Sequence, residues 1–147
     1  MFFTQTRIRV RYADTDQMKM AYYARFFEYF EQGRSDLLRE IGLPYPEIER
    51  MGFFLPVLEA HAQYIKPARY DDELLVKTIV KEPPQVRIRI EYEIRNAENG
   101  ELLTDGFTVH GFVSAASGKP ARAPDRFLKL LQEALAKPVA VEPTFQR

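Results

Sequence analysis

Residues 6–12, Thr6-Arg7-Ile8-Arg9-Val10-Arg11-Tyr12, alternate without a slip, and residues 13–17, Ala13-Asp14-Thr15-Asp16-Gln17, break the pattern just ahead of a different one. Thr6, Ile8, Val10 and Tyr12 fall on one side and three arginines on the other, the two-residue period of a half-buried strand. From about Tyr22 to Ile41 the step changes to three or four residues, through Tyr23, Phe26, Phe27, Phe30, Leu37, Leu38 and Ile41. This is the apolar stripe of one amphipathic helix. Gly33 interrupts the stripe. A mid-helix glycine costs about 1 kcal/mol against alanine, so close approach of the helix to a sheet is expected there. Gly42 supplies a helix stop, and Pro44 opens a short second helix through Met51.

Outward from that unit the chain reads as strands, over 54–66, 72–82, 85–96 and 101–114. The clearest alternation sets Val86, Ile88, Ile90, Tyr92 and Ile94 against Arg87, Arg89, Glu91, Glu93 and Arg95. Asn99-Gly100 marks a hairpin and Pro83-Pro84 a further turn. After Gly118-Lys119-Pro120, a terminal helix runs from Pro124 or Asp125 to about Ala136. The expected organisation is one α+β domain over 1–137, followed by a loose tail over 138–147. In it a five-stranded antiparallel sheet and one long helix bury each other, with a short C-terminal helix. The exposed edges of such a sheet favour dimerisation.

Composition narrows the chemistry. The 147 residues suffice for one domain with a real core. Lys plus Arg and Asp plus Glu balance at 21 each, so no global field attracts nucleic acid or an anionic membrane. The absence of cysteine excludes disulfides, thiolate metal sites and a cysteine nucleophile. Two histidines are too few for a His-rich metal centre. No signal peptide or membrane-length apolar run is evident, and a cytoplasmic protein is expected. No glycine-rich phosphate loop, nucleophile elbow or zinc pattern occurs. No cofactor or metal is therefore implied.

The chemical interest lies in residues 12–23, Tyr12 to Tyr23. Two carboxylates precede a long helix whose first turn leaves backbone N–H groups unpaired. Such N–H groups can hold a developing oxyanion, and a facing carboxylate can attack a bound carbonyl or activate water. By spacing alone, helix capping or a turn explains these aspartates more readily.

Arg9-Val10-Arg11-Tyr12-Ala13-Asp14-Thr15-Asp16, followed by residues 22–31 from Tyr22 to Glu31, resembles the 4-hydroxybenzoyl-CoA thioesterase family, including its YbgC-like acyl-CoA thioesterases. The resemblance continues through Gly42-Leu43-Pro44, Phe54-Leu55-Pro56-Val57, residues 67–72 and Gly106-Phe107-Thr108, covering about 6–130. It implies a hotdog fold, two subunits joined sheet edge to sheet edge, active sites at that interface and, in many members, a homotetramer. It also implies hydrolysis of an acyl-CoA thioester, with CoA as part of the substrate. Asp16 would be the catalytic carboxylate, and the Tyr23 backbone N–H would polarise the carbonyl.

Departures from the family pattern matter as well. Tyr23 stands where YbgC-like members often carry histidine, whereas the aromatic-substrate branch resembles this chain in having tyrosine there. Lys19 stands where glycine is usual and would crowd or screen the mouth of the site. Glu31 matches a helix carboxylate that contacts the substrate's distal hydroxyl in the 4-hydroxybenzoyl branch; pairing with Arg34, three residues on, is its structural alternative. Tyr22 and Phe26 are expected at the acyl group. His61 and His110 read first as sheet residues, and Lys66, Arg69, Arg87, Arg89, Arg95, Lys119 and Arg122 are all candidate donors to CoA phosphates. Two other functions stay open: a hotdog hydratase or dehydratase, and a non-catalytic module that binds acyl thioesters.

Overall fold

A computed structural model describes residues 1–138, so the tail expected over 138–147 lies, beyond Pro138, outside the described residues. Five long strands form the main antiparallel sheet: β1 (Phe2–Arg9), β3 (Val57–Tyr64), β4 (Glu73–Val80), β5 (Arg87–Asn96) and β6 (Leu102–Ser114), in the spatial order β1-β4-β5-β6-β3. Two strands that the alternation did not reveal, β2 (Phe53–Phe54) and β7 (Pro120–Ala121), pair with the far end of β6. The run expected over 54–66 is thus split at Leu55-Pro56. Helix α1 (Arg25–Glu40) lies across the sheet, with α2 (Tyr45–Arg50) and α3 (Asp125–Ala136) beside it. This is the hotdog arrangement.

β1 starts four residues earlier than its alternation suggests, because it pairs with β4 along its whole length, from Phe2 with Val80 to Arg9 with Glu73. The alternation also overshoots at the other end. Val10 is fully buried, but residues 12–14 turn as one 3₁₀ coil and leave Tyr12 79% exposed.

Helix α1 begins at Arg25 rather than Tyr22, so Tyr23 stands outside it and is exposed. Its buried face is Phe26, Tyr29, Phe30, Gly33, Leu37 and Leu38. The ring of Phe30 stacks on Tyr92 of β5 at 4.2 Å. Gly33 does bring the helix close to the sheet: a Cβ there would run into Thr78 Oγ1 and lie 3.0 Å from Val76 Cγ1 of β4. At the C-terminus, Gly42 takes a φ of +90°. Its N–H bonds Arg39 O at 3.0 Å, and the Leu43 N–H bonds Leu38 O at 2.8 Å, both halves of a Schellman stop. α3 seals the sheet end with Phe127 packed edge-on against Phe112 of β6. No helix among the described residues is long and apolar enough to cross a membrane.

Candidate active site

The segment between β1 and α1 carries both motif aspartates, and their environments differ. Asp14 is 2% exposed. Its carboxylate accepts hydrogen bonds from the Arg11 N–H and Arg11 Nη2, both at 3.0 Å, and from the Tyr29 hydroxyl at 3.1 Å. Burial pushes its pKa up, but the hydrogen bonds from Arg11 and Tyr29 and the Arg11 charge outweigh burial and hold it below the ordinary carboxylate value. Its backbone oxygen accepts the Tyr22 N–H at 2.8 Å. Asp14 therefore clamps the end of β1, the turn and the buried face of α1 together.

Asp16 is half-buried and differently used. Oδ1 accepts the Met18 N–H at 2.8 Å, an Asx turn. Oδ2 has no hydrogen-bond partner among the described residues. Neither aspartate caps α1, whose first residue comes nine positions after Asp16 and whose N-cap, Ala24, makes no side-chain bond. The loop is held by the Asp16 N–H to Met20 O (2.9 Å) and the Ala21 N–H to Ala68 O (2.7 Å). Within it Lys19 has a φ of +64°. That left-handed geometry costs an L-residue about 1–2 kcal/mol, which is the physical reason for a glycine at such a position.

Asp16 borders a cleft of about 610 Å³ together with Met18, Met20, Ala21, Tyr22, Tyr23, Phe26 and residues 64–67. Its walls are mostly apolar, and four of the lining residues are aromatic. Tyr22 and Tyr23 are 4.6 Å apart by centroid, and Tyr64 meets both Tyr23 and Phe26 edge-on. The Tyr64 hydroxyl donates to Tyr23 O at 2.8 Å. The Tyr23 and Ala24 N–H groups make no hydrogen bond among the described residues, whereas the Tyr22 N–H before them and the Arg25 N–H after them are engaged. The Tyr22 phenol pKa is raised, chiefly by the neighbouring Tyr23 hydroxyl and then by burial and the charge of Asp16. A carboxylate oxygen, an unpaired N–H and an apolar wall thus share one cleft.

Tyr22 and Phe26 line this cleft, while Lys19 stands on its loop without lining it. Glu31 is not brought to it within the chain. It borders a second cleft of about 370 Å³ with Arg34, Tyr45, Leu55 and His110, among others. Glu31 and Arg34 form no ion pair; the Arg34 charge bears instead on Tyr92 and His110. His110 is buried, with Nδ1 3.2 Å from Leu55 O and Nε2 2.8 Å from Thr108 Oγ1. A carbonyl can only accept, so Nδ1 carries the proton. Nε2 then accepts from Thr108, which in turn accepts from the Tyr92 hydroxyl, 2.7 Å away. Burial lowers His110 to about 4. Both ring nitrogens are occupied, which leaves no lone pair for a reacting group. His61 stacks on Phe107, which also carries Arg89 over its ring. No cluster among the described residues could hold a metal ion.

Two contributors escaped the sequence reading. Tyr29 was visible as a position on the helix face of Phe26 and Phe30, but nothing local marked its hydroxyl as a partner for Asp14. Tyr64, 41 residues from Tyr23, had no signal beyond lying near a strand end.

Residues 10–131 match the thioesterase-like superfamily. A putative acyl-CoA thioesterase, YneP, of Bacillus subtilis is 32% identical over 82% of this chain and 86% of its own. The acyl-CoA thioester hydrolase YbgC of Escherichia coli is 29% identical over 80% and 87%. A DHNA-CoA thioesterase of Staphylococcus aureus superimposes with a TM-score of 0.82, at 34% identity, over 91% of this chain and 89% of that one.

Proposed function

This chain belongs to the thioesterase-like superfamily, and from that premise we propose that it hydrolyses an acyl-CoA thioester to the free acid and CoA. Asp16 acts as base and the Tyr23 N–H as oxyanion donor. The observation that carries this reading is their shared cleft, which both residues line and in which Asp16 Oδ2 and the Tyr23 N–H make no hydrogen bond among the described residues. Water gives a proton to Oδ2 and attacks the carbonyl carbon. The carbonyl electrons move onto oxygen, which accepts a hydrogen bond from the Tyr23 N–H. Collapse breaks the C–S bond, and Asp16 returns the proton to the departing thiolate. The Met18 N–H tethers Oδ1 and leaves Oδ2 as the oxygen that takes the proton. Labelled oxygen from water appearing in Asp16 during a single turnover would instead indicate a mixed anhydride.

The proposal includes a homodimer built through β3. Among the described residues that strand pairs with β6 alone, which leaves its outer edge open, and Val57, Leu58 and Tyr64 on it are exposed. The reading extends to a dimer of such dimers, as the family resemblance implies, and to the cytoplasm as the compartment. A hydratase is less well supported, because the buried His110 has no free nitrogen and borders a different cleft from Asp16.

The test is release of CoA from short, long and aromatic acyl-CoAs by wild type and by Asp16→Asn. Wild type should turn over at least one of them, and the variant should lose about 10²–10⁴-fold in kcat with its melting temperature nearly unchanged. No turnover on any substrate would favour the non-catalytic binding module, and an active variant would remove Asp16 from the mechanism.

A further inference from the structure

A donor that must wait empty for an oxyanion cannot be held by a hydrogen bond of its own. It can be held only through the carbonyls of the peptides on either side. At Tyr23 both of those carbonyls are engaged. The Tyr22 oxygen, on the peptide that carries the Tyr23 N–H, accepts the Arg25 N–H at 2.9 Å. The Tyr23 oxygen, on the following peptide, accepts the Tyr64 hydroxyl at 2.8 Å and the Phe26 N–H at 3.3 Å.

The shorter of the two bonds at the Tyr23 oxygen comes from outside the helix. Tyr64 is the last residue of β3, whereas Ala24, at the N-cap of α1, makes no side-chain bond. Within the chain Tyr64 is 43% exposed, so water could satisfy its hydroxyl and burial does not force it onto the Tyr23 oxygen. Its ring meets those of Tyr23 and Phe26 edge-on, at 6.2 and 5.4 Å. Partial burial, and then Tyr23, push its phenol above the ordinary value, so it keeps its proton and remains a donor at neutral pH. Of the two bonds, only the 3.3 Å one would survive loss of that hydroxyl, at a helix end of the kind that frays.

We propose that Tyr64 is a positioning residue for hydrolysis: through the Tyr23 carbonyl, its hydroxyl keeps the Tyr23 N–H aimed at the carbonyl of a bound thioester. The inference rests on the hydrolase reading for its reaction. Oxyanion stabilisation depends on donors fixed in advance, and loss of that fixing is felt in the transition state rather than in substrate binding. Tyr64 acts through the backbone, so its effect is the same whatever acyl group the carbonyl carries.

The experiment measures kcat and KM of wild type, Asp16→Asn and Tyr64→Phe on short, long and aromatic acyl-CoAs. Tyr64→Phe keeps the ring and removes only the hydroxyl. It should lose about fivefold to tenfold in kcat, the order expected for one neutral hydrogen bond. The factor should be the same on every substrate that is turned over, with KM and the melting temperature nearly unchanged. The Ala24 amide nitrogen belongs to the peptide whose oxygen Tyr64 bonds, so its magnetic resonance should shift in the same variant. An unshifted Ala24 resonance or a wild-type kcat overturns the proposal. So does a loss confined to KM, or one that varies with the acyl group, since either marks Tyr64 as a wall of the cleft. In those cases an active wild type and an inactive Asp16→Asn leave the hydrolase reading standing. A wild type that hydrolyses no thioester removes both.

Discussion

Asp14 and Asp16 are two residues apart, yet one holds the structure and the other is available for chemistry. The buried carboxylate of Asp14 receives two charge-assisted bonds and a phenol. In Asp14→Asn an amide would face those donors, so about 2–3 kcal/mol of stability should be lost, read as a lower urea midpoint. Acid should act through two residues in separate windows. The folded value of His110 is about 4 against an ordinary 6.5. As pH falls below 6.5, the unfolded chain takes up a proton that the folded chain refuses until about 4, and stability declines by about 3 kcal/mol across that window. Asp14 is depressed in the folded state. Its contribution is present above its ordinary value of 3.8 and is lost as pH falls from there through the folded value. His110→Gln should flatten the upper window only, and urea midpoints measured from neutral pH downward check both signs. A decline that starts only below 4 in wild type would contradict the His110 assignment.

For α1, the decisive element-scale feature is contact with β4 at Gly33. Alanine there improves intrinsic helix propensity by about 1 kcal/mol. Its methyl would nonetheless meet Thr78 Oγ1 and Val76 Cγ1, and overpacking of this kind costs about 1–3 kcal/mol. Gly33→Ala should therefore be net destabilising. Thr78→Ala removes the obstructing hydroxyl, which has no hydrogen-bond partner. The double variant should recover much of the loss, giving a favourable coupling in a double-mutant cycle. Purely additive effects would show that the helix meets the sheet elsewhere. The three-to-four-residue period made this helix legible, but not its start. Tyr22 and Tyr23 continue the apolar pattern although they precede the helix, because their rings line the cleft instead of the core.

At the scale of the whole molecule, the open edge of β3 predicts a particle of twice the 17.2 kDa chain mass or a multiple of it, measurable by light scattering. Successive residues of a strand point their N–H groups to opposite edges, so of Ala60→Pro and His61→Pro one blocks the outer edge and the other the pairing with β6. The first should yield a folded monomer and the second a destabilised chain. Two variants that both remain oligomeric would place the interface elsewhere.

The helix, the strands and their antiparallel connections could be read from residue order, because hydrophobic period and turn chemistry act over a few neighbours. β2 and β7 could not, since two residues carry no period. The motif around Asp14 and Asp16 was also legible as a place where chemistry was to be expected. Which aspartate was free depended on the burial of Asp14, where Tyr29, fifteen residues away, joins the nearby Arg11 in bonding its carboxylate, and the cleft wall depended on Tyr64, forty-one residues from Tyr23. The separation of Glu31 and His110 from Asp16 within the chain likewise followed from packing. Burial and hydrogen-bond saturation are properties of the assembled surroundings, so local sequence specified the carboxylates, and only the tertiary structure decided which one was left unpaired beside a free N–H.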